Sequence, residues 1–355
     1  MDEGFQRFRR EYASRVSRKI LFAVLILVAS FLVFGLTLSV GEYNIGFIES
    51  YQIVFDHLMG IPVSDRMKDL IIWDYRLPRA VMAALSGSGL AIGGAVMQSA
   101  LRNPLAEPYT MGISSGASLG AALSIICGVC VVPALSGEPA TVINSFVFSL
   151  VPVAVIMLVI RFKKTTPTMM ILSGIAVMYV FSAVTTMLMV LADPTSLSEI
   201  YQWRVGTLGK ATWGNIPLVA VFVALGIVSL WALSRNLNVL MTGNRSATSL
   251  GVDTRRLMMM SLVIVALVTS AIVCFTGTIG FVGLIVPHLV RIFIGSNNKY
   301  LIPASACFGA LFLLVMDSVA KVAGSTGLPV GVICAVVGGP TFIYILIKQK
   351  KSAWR

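Results

Sequence analysis

From Ile20 onward, apolar runs of about twenty residues alternate with short polar breaks. A helix of that length crosses the hydrocarbon layer of a bilayer, because each residue advances it by about 1.5 Å. The pattern predicts ten spans: Ile20–Val40, Arg79–Leu101, Tyr109–Val132, Ala140–Ile160, Met169–Ala192, Ile216–Ser234, Leu257–Thr276, Ile279–Ile294, Leu301–Ala320 and Pro329–Ile347. The chain therefore reads as an all-α polytopic membrane protein. A basic arm over residues 1–19 precedes a transmembrane domain over 20–347, and a basic tail covers 348–355. Between the first two spans, Phe47, Tyr51, Val54, Phe55 and Leu58 recur at helical spacing and predict an amphipathic surface helix. Asp193–Asn215 is a polar excursion whose Trp203 and Trp213 fit interfacial anchors.

The chain is organised around Gly87–Gly120. Gly87, Gly89, Gly93, Gly94 and Ala95 give one apolar helix a face of very small residues. Arg102, Asn103, Pro104, Glu107 and Pro108 interrupt it, and Gly112 to Gly120 open a second helix rich in Gly and Ser. In water so much glycine disfavours helix, whereas in lipid it lets two backbones approach. The stretch reads as a membrane hairpin with a short polar turn.

Composition agrees: 57% of the 355 residues are hydrophobic and 12% charged, where soluble domains carry about 25%. The net charge of +12 would suggest nucleic acid on a soluble protein; here it reads as the basic loops that orient a membrane protein, with no nucleic-acid partner. With the N-terminus inside and ten crossings, 20 of the 27 Lys and Arg fall on the inner side, so both termini are expected in the cytoplasm of a multi-pass cell-membrane protein. No cleavable signal is evident, because the first apolar run follows a long basic arm. The five cysteines lie in apolar runs, and Cys127-Gly-Val-Cys130 has no His or further Cys beside it to make a redox or metal site.

Candidate chemistry is sparse. The phosphate-binding pattern G-x-x-x-x-G-K-[ST] is absent: Gly209-Lys210 lacks the first glycine and is followed by Ala211. Asp317 is the one acid inside the ten spans; it sits four residues before Lys321, at salt-bridge spacing near a span end, and reads as interfacial. His57 and His288 are the two histidines, too few for a histidine-rich metal centre. Such a chain draws its energy from another polypeptide or, as the alternative, from an ion gradient. Within Arg235–Arg256, Asn244 or Ser246 is placed to cap a short helix through Leu250 that Gly251 closes. Ala247, Leu250 and Val252 form an apolar knob between Arg245 and Arg255–Arg256, which suits docking into a partner's groove as well as a plain loop.

Several motifs in chain order carry a resemblance. They are Arg76-Leu-Pro-Arg79, GSGLAIGGAVMQ, Asn103-Pro-Leu-Ala-Glu-Pro108, Gly112-Ile-Ser-Ser-Gly116, Leu172-Ser-Gly-Ile-Ala176, Gly206-Thr-Leu208, Ala247–Val252, Gly280–Arg291, Leu328-Pro-Val-Gly331 and Gly338-Gly-Pro340. Together they resemble the FecCD family of type II ABC importer permeases over about residues 20–348. The resemblance implies a homodimeric permease, two cytoplasmic ATPase subunits that hold ATP and Mg, an external substrate-binding protein, and a metal chelate as cargo: iron–siderophore, haem or cobalamin. It implies no cofactor in this chain and no catalytic residue. Arg245, Ser246, Ala247, Thr248, Ser249, Leu250, Gly251 and Val252 match the helix that couples to the ATPase. Arg76, Arg79 and Lys321 match external positions that face the binding protein, where exposed ion pairs steer docking. Ser173, Gly174, Ala176, Ser182, Ala183, Thr185 and Thr186 give the fifth span a small, weakly polar wall along the pathway. Two positions depart from the pattern: Gly327 stands where many relatives carry Glu, and Lys321 where Arg is usual. Spans two to five and seven to ten would form an inverted repeat, echoed in glycine-rich helices before Pro104 and Pro287.

Overall fold

The computed structural model describes residues 2–63, 65–162, 166–324 and 327–348, and the described residues are almost entirely helical. Lys163 and Lys164, which follow the fourth predicted span, and the tail beyond Lys348 lie outside them. The helices are α1 (Asp2–Ser39), α2 (Phe47–Met59), α3 (Arg66–Leu70), α4 (Leu77–Leu101), α5 (Ile113–Ile125), α6 (Gly137–Phe162), α7 (Pro167–Val190), α8 (Pro194–Val205), α9 (Ile216–Ala232), α10 (Ser234–Met241), α11 (Asn244–Ser249), α12 (Thr254–Thr276), α13 (Val282–Ile294), α14 (Asn298–Val322) and α15 (Val330–Lys348). Side-chain caps start several of them outside the apolar runs. Thr166 accepts from Met169 N, Asp193 from Thr195 N and Ser196 N, and Asp253 from Arg256 N. Each satisfies amides that the first helical turn leaves open.

The predicted segments are present in order, and their lengths differ. Six helices among the described residues are long and apolar enough to cross alone. α9 and α10 make a seventh only as a pair bent by 54°. The expected third span, Tyr109–Val132, is a 3-10 turn over Pro108–Met111 followed by the 13-residue α5. Gly128 and Gly137, both at φ +65°, turn the chain beyond it. The expected eighth span shortens to the 13-residue α13 because Gly277 (φ +66°) and Phe281 (φ +69°) hold left-handed backbone before it. Conversely, α1 extends back through the expected arm, and a π-helical turn over Ile71–Arg76 joins α3 to α4 in one 36-residue stretch.

The central stretch is not a hairpin with its arms packed together. α4 packs on α14, α13, α12 and α9, whereas α5 packs on α6 and α7. Close approach explains the glycines. A methyl on Gly87 would overlap the carbonyl oxygen of Gly309 in α14, and one on Gly94 would overlap that of Gly283 in α13. These backbone crossings need no hydrophobic driving force, which lipid would not supply.

The amphipathic helix is α2, lying against α1 through stacking of Tyr51 on Phe31 at 5.0 Å. Its Glu49 pairs with Lys68, whose hydrogen bond holds the Glu49 carboxyl below the usual carboxylate range. Trp203 is not an interfacial anchor: it is buried in a cluster with Ile200, Ala117 and Val273. Trp213 is partly exposed, packs its ring against that of Trp73 at a tilt of 37° and donates from Nε1 to the Trp73 carbonyl at 2.9 Å.

Candidate functional site

Three regions bear on function, and the fold distributes them along the molecule. The first is a cleft of about 540 Å³ lined by residues of the α1–α2 connection, the α3–α4 stretch and the segments before α9 and α15. Arg76, Arg79 and Lys321 all line it, so three positions far apart in the sequence converge. They are not free rim charges, however. Arg76 is only 7% exposed and donates to the carbonyls of Leu38 and Ser39 at 2.8 Å and of Tyr43 at 2.6 Å. Asp317 is fully buried, and it accepts from Arg79 Nη2 at 2.8 Å and Nε at 2.9 Å. Lys321 closes the triad at 3.3 Å and donates to the Thr37 carbonyl at 2.9 Å. These contacts hold α1, α4 and α14 together, because a buried carboxylate removed from water must find full compensation. Gly327, at φ +75°, lines the same cleft in left-handed backbone that a Glu side chain would strain.

The second region is a pocket of about 300 Å³ between α5, α7, the end of α8 and the turn before α13. Of the expected pathway wall, Ser182 and Thr185 line it. Gly174 instead packs against the backbone of Thr110 and Met111, and Ala183 and Thr186 are exposed elsewhere on α7. Ser173 and Ala176 lie outside the lining as well. Opposite α7 stand Ser114, Ser115 and Ser118 of α5, whose positions the Gly- and Ser-rich opening of that helix made visible. Arg204 also lines the pocket, and a sequence reading misses it because the residue there counts only as an outer-loop charge. Tyr109 completes the floor, its hydroxyl accepting from Ile279 N at 3.2 Å.

The third region is the α10–α11 connection. α11 is a six-residue helix started by Gly243 at φ +118° and closed by Gly251 at φ +81°; Asn244 is its first residue rather than its cap. The apolar knob is smaller than expected. Ala247 is fully buried and Val252 half-buried, leaving Leu250 exposed by 68% at the tip. Two sets of contacts brace this tip. Arg102, at the end of α4, donates to Asn244 Oδ1 at 3.1 Å. Asn238 of α10 accepts from Asn298 N at 2.8 Å, and a polar chain continues inward. Ser99 donates to Asn298 Oδ1 at 2.8 Å, and Arg291 donates to Ser99 at 3.2 Å and to Gln98 Oε1 at 2.6 Å. Gln98 in turn donates to the carbonyls of Gly283 and Leu284. An exposed leucine on a helix so firmly seated has the form of an anchor for a partner's groove. Among the described residues there is no cluster of His, Cys, Asp or Glu able to hold a metal.

Comparison with known proteins gives this arrangement a context. The profile of the FecCD transport family matches residues 24–348. The cobalamin import system permease protein BtuC of Halobacterium salinarum is 39% identical over 83% of this chain and 77% of its own length. The hemin transport system permease protein HmuU of Yersinia pestis is 33% identical over 92% of this chain and 97% of its own. A solved structure assigned to the metal-chelate type of ABC transporter, in an inward-facing conformation, superposes with a TM-score of 0.81 at 29% identity, covering 93% of this chain and 99% of that one.

Proposed function

Because the chain belongs to the FecCD transport family, we propose that it is the membrane-spanning permease subunit of an ABC importer for a metal chelate, driven by ATP hydrolysis on a separate subunit. The observation that carries this is coverage: the family profile and the haem permease both match the chain across nearly its whole length, including all three regions above. The cargo is a chelate of the iron–siderophore, haem or cobalamin kind.

The finer assignments extend this reading, and the geometry supports them. Two copies of this chain form the pathway, each contributing α7, a strongly apolar helix that is largely exposed within one protomer and whose Ser182 and Thr185 face the pocket. Two cytoplasmic ATPase subunits, which bind ATP and Mg, receive residues Arg245–Val252 with Leu250 as the anchor; this chain has no cofactor of its own. An external binding protein seats over the cleft that Arg76, Arg79 and Lys321 line. The site lies in the cell membrane with both termini in the cytoplasm.

The test is reconstitution of the permease with its ATPase and binding protein in vesicles. ATP-dependent chelate uptake that survives an ionophore is the expected result. Uptake that collapses with the ion gradient while ATP stays high would instead identify an ion-coupled secondary transporter.

A further inference from the structure

The pocket between α5 and α7 has an unusual donor inventory. Arg204, at the end of α8, is exposed into it. Its one hydrogen-bond contact through the guanidinium is with the Met189 sulfur at 3.3 Å, a weak acceptor. Among the described residues no carboxylate lies within ion-pair distance of it, and no acid lines the pocket. Three cations of the outer half are paired with acids, Arg79 and Lys321 sharing Asp317 and Lys68 bound to Glu49, and Arg76 is held by three carbonyl oxygens.

The hydroxyls divide in a telling way. Those of Ser115 and Thr185 are spent on the Gly112 and Phe181 carbonyls of their own helices, and that of Thr278 on the Arg204 carbonyl. Those of Ser114, Ser118 and Ser182 line the pocket and have no hydrogen-bond partner among the described residues. The pocket thus presents a guanidinium and three uncommitted O–H donors, and no charged acceptor.

We propose that this pocket recognises an anionic, acceptor-only group on the cargo, a carboxylate or phosphate, with Arg204 as the specificity-determining residue and Ser114, Ser118 and Ser182 as supporting donors. The proposal rests on the permease reading above and narrows its substrate class. A guanidinium matches such a group with two parallel hydrogen bonds, and it keeps its charge at every working pH. A guanidinium exposed into a pocket that no acid lines attracts an opposite charge entering it. The site is small relative to a whole chelate, so it reads one substituent and leaves the rest of the cargo uncontacted.

The test uses the full complex in ATP-loaded vesicles, with the binding protein saturated so that remaining selectivity belongs to the permease. Three pairs of probes are offered: haem and its dimethyl ester, cobalamin and cobinamide, Fe(III)–dicitrate and the neutral trihydroxamate ferrichrome. The first member of each pair carries the acid that the second lacks. The expected result is uptake of at least one acid-bearing member in preference to its counterpart. Arg204→Gln then lowers that uptake about tenfold or more, as loss of a charged hydrogen bond implies, and Arg204→Lys restores part of it. Equal uptake within the carried pair, preference for the neutral member, or an equal loss for both members in Arg204→Gln would overturn the proposal while leaving the permease intact. If Arg204→Gln does not assemble, the wild-type preference within pairs decides alone. Absence of ATP-dependent uptake of every probe would instead strike the permease reading itself.

Discussion

Asp317 shows how much a single residue can carry in this protein. It is fully buried with two cations on its two oxygens. Removing the acid while keeping the cations leaves two uncompensated charges between α4 and α14, a change that costs about 3–5 kcal/mol for a broken buried pair. Asp317→Asn should therefore lower the unfolding midpoint in detergent markedly; an unchanged midpoint would take the triad out of the fold's support. Arg76→Glu is expected to act through the fold as well, since it would set a carboxylate against three carbonyl oxygens. Part of this was legible in the sequence. Asp317 and Lys321 are four apart on one helix face, but Arg79 lies 238 residues from Asp317, and spacing reports only neighbours along a helix. Arg204 was invisible for a related reason: charge counting assigns it a side of the membrane and says nothing of the hydroxyls it faces.

Among the elements, α11 and the glycine crossings make separable predictions. Leu250 is exposed and touches little, so Leu250→Asp should leave the permease folded. ATP-driven uptake should nevertheless fall at least tenfold, with the ATPase failing to co-purify; retained uptake would refute the docking assignment. Gly94→Val should prevent assembly, because the added carbons meet backbone of α13 that cannot move aside. Gly214→Ala, where the nearest atom lies 3.8 Å away, should be tolerated, and yield of folded protein in detergent distinguishes the two. The apolar runs gave the order and approximate bounds of the long helices. They failed at α5 and α13, where hydropathy continues but the backbone turns left-handed, a property set by Gly128, Gly277 and Phe281 rather than by apolarity.

Across the whole molecule, α4 to α7 and α12 to α15 form matching series in which a long helix is followed by a 13-residue one and then by two long ones. The series trade partners: α4 lies on α14, and α12 lies on α6. This is the form an internal repeat of the implied kind takes, although the sequence carried only a faint echo of it, since packing partners leave no periodic trace. The interlocking has a consequence for how the protein is made. Once the ribosome has delivered Gly87 and Gly94, their grooves face lipid until residues 283 and 309 emerge, some two hundred codons later. A message truncated between the series should yield a fragment that membrane proteases clear quickly, and supplying the missing half as a second polypeptide should rescue it.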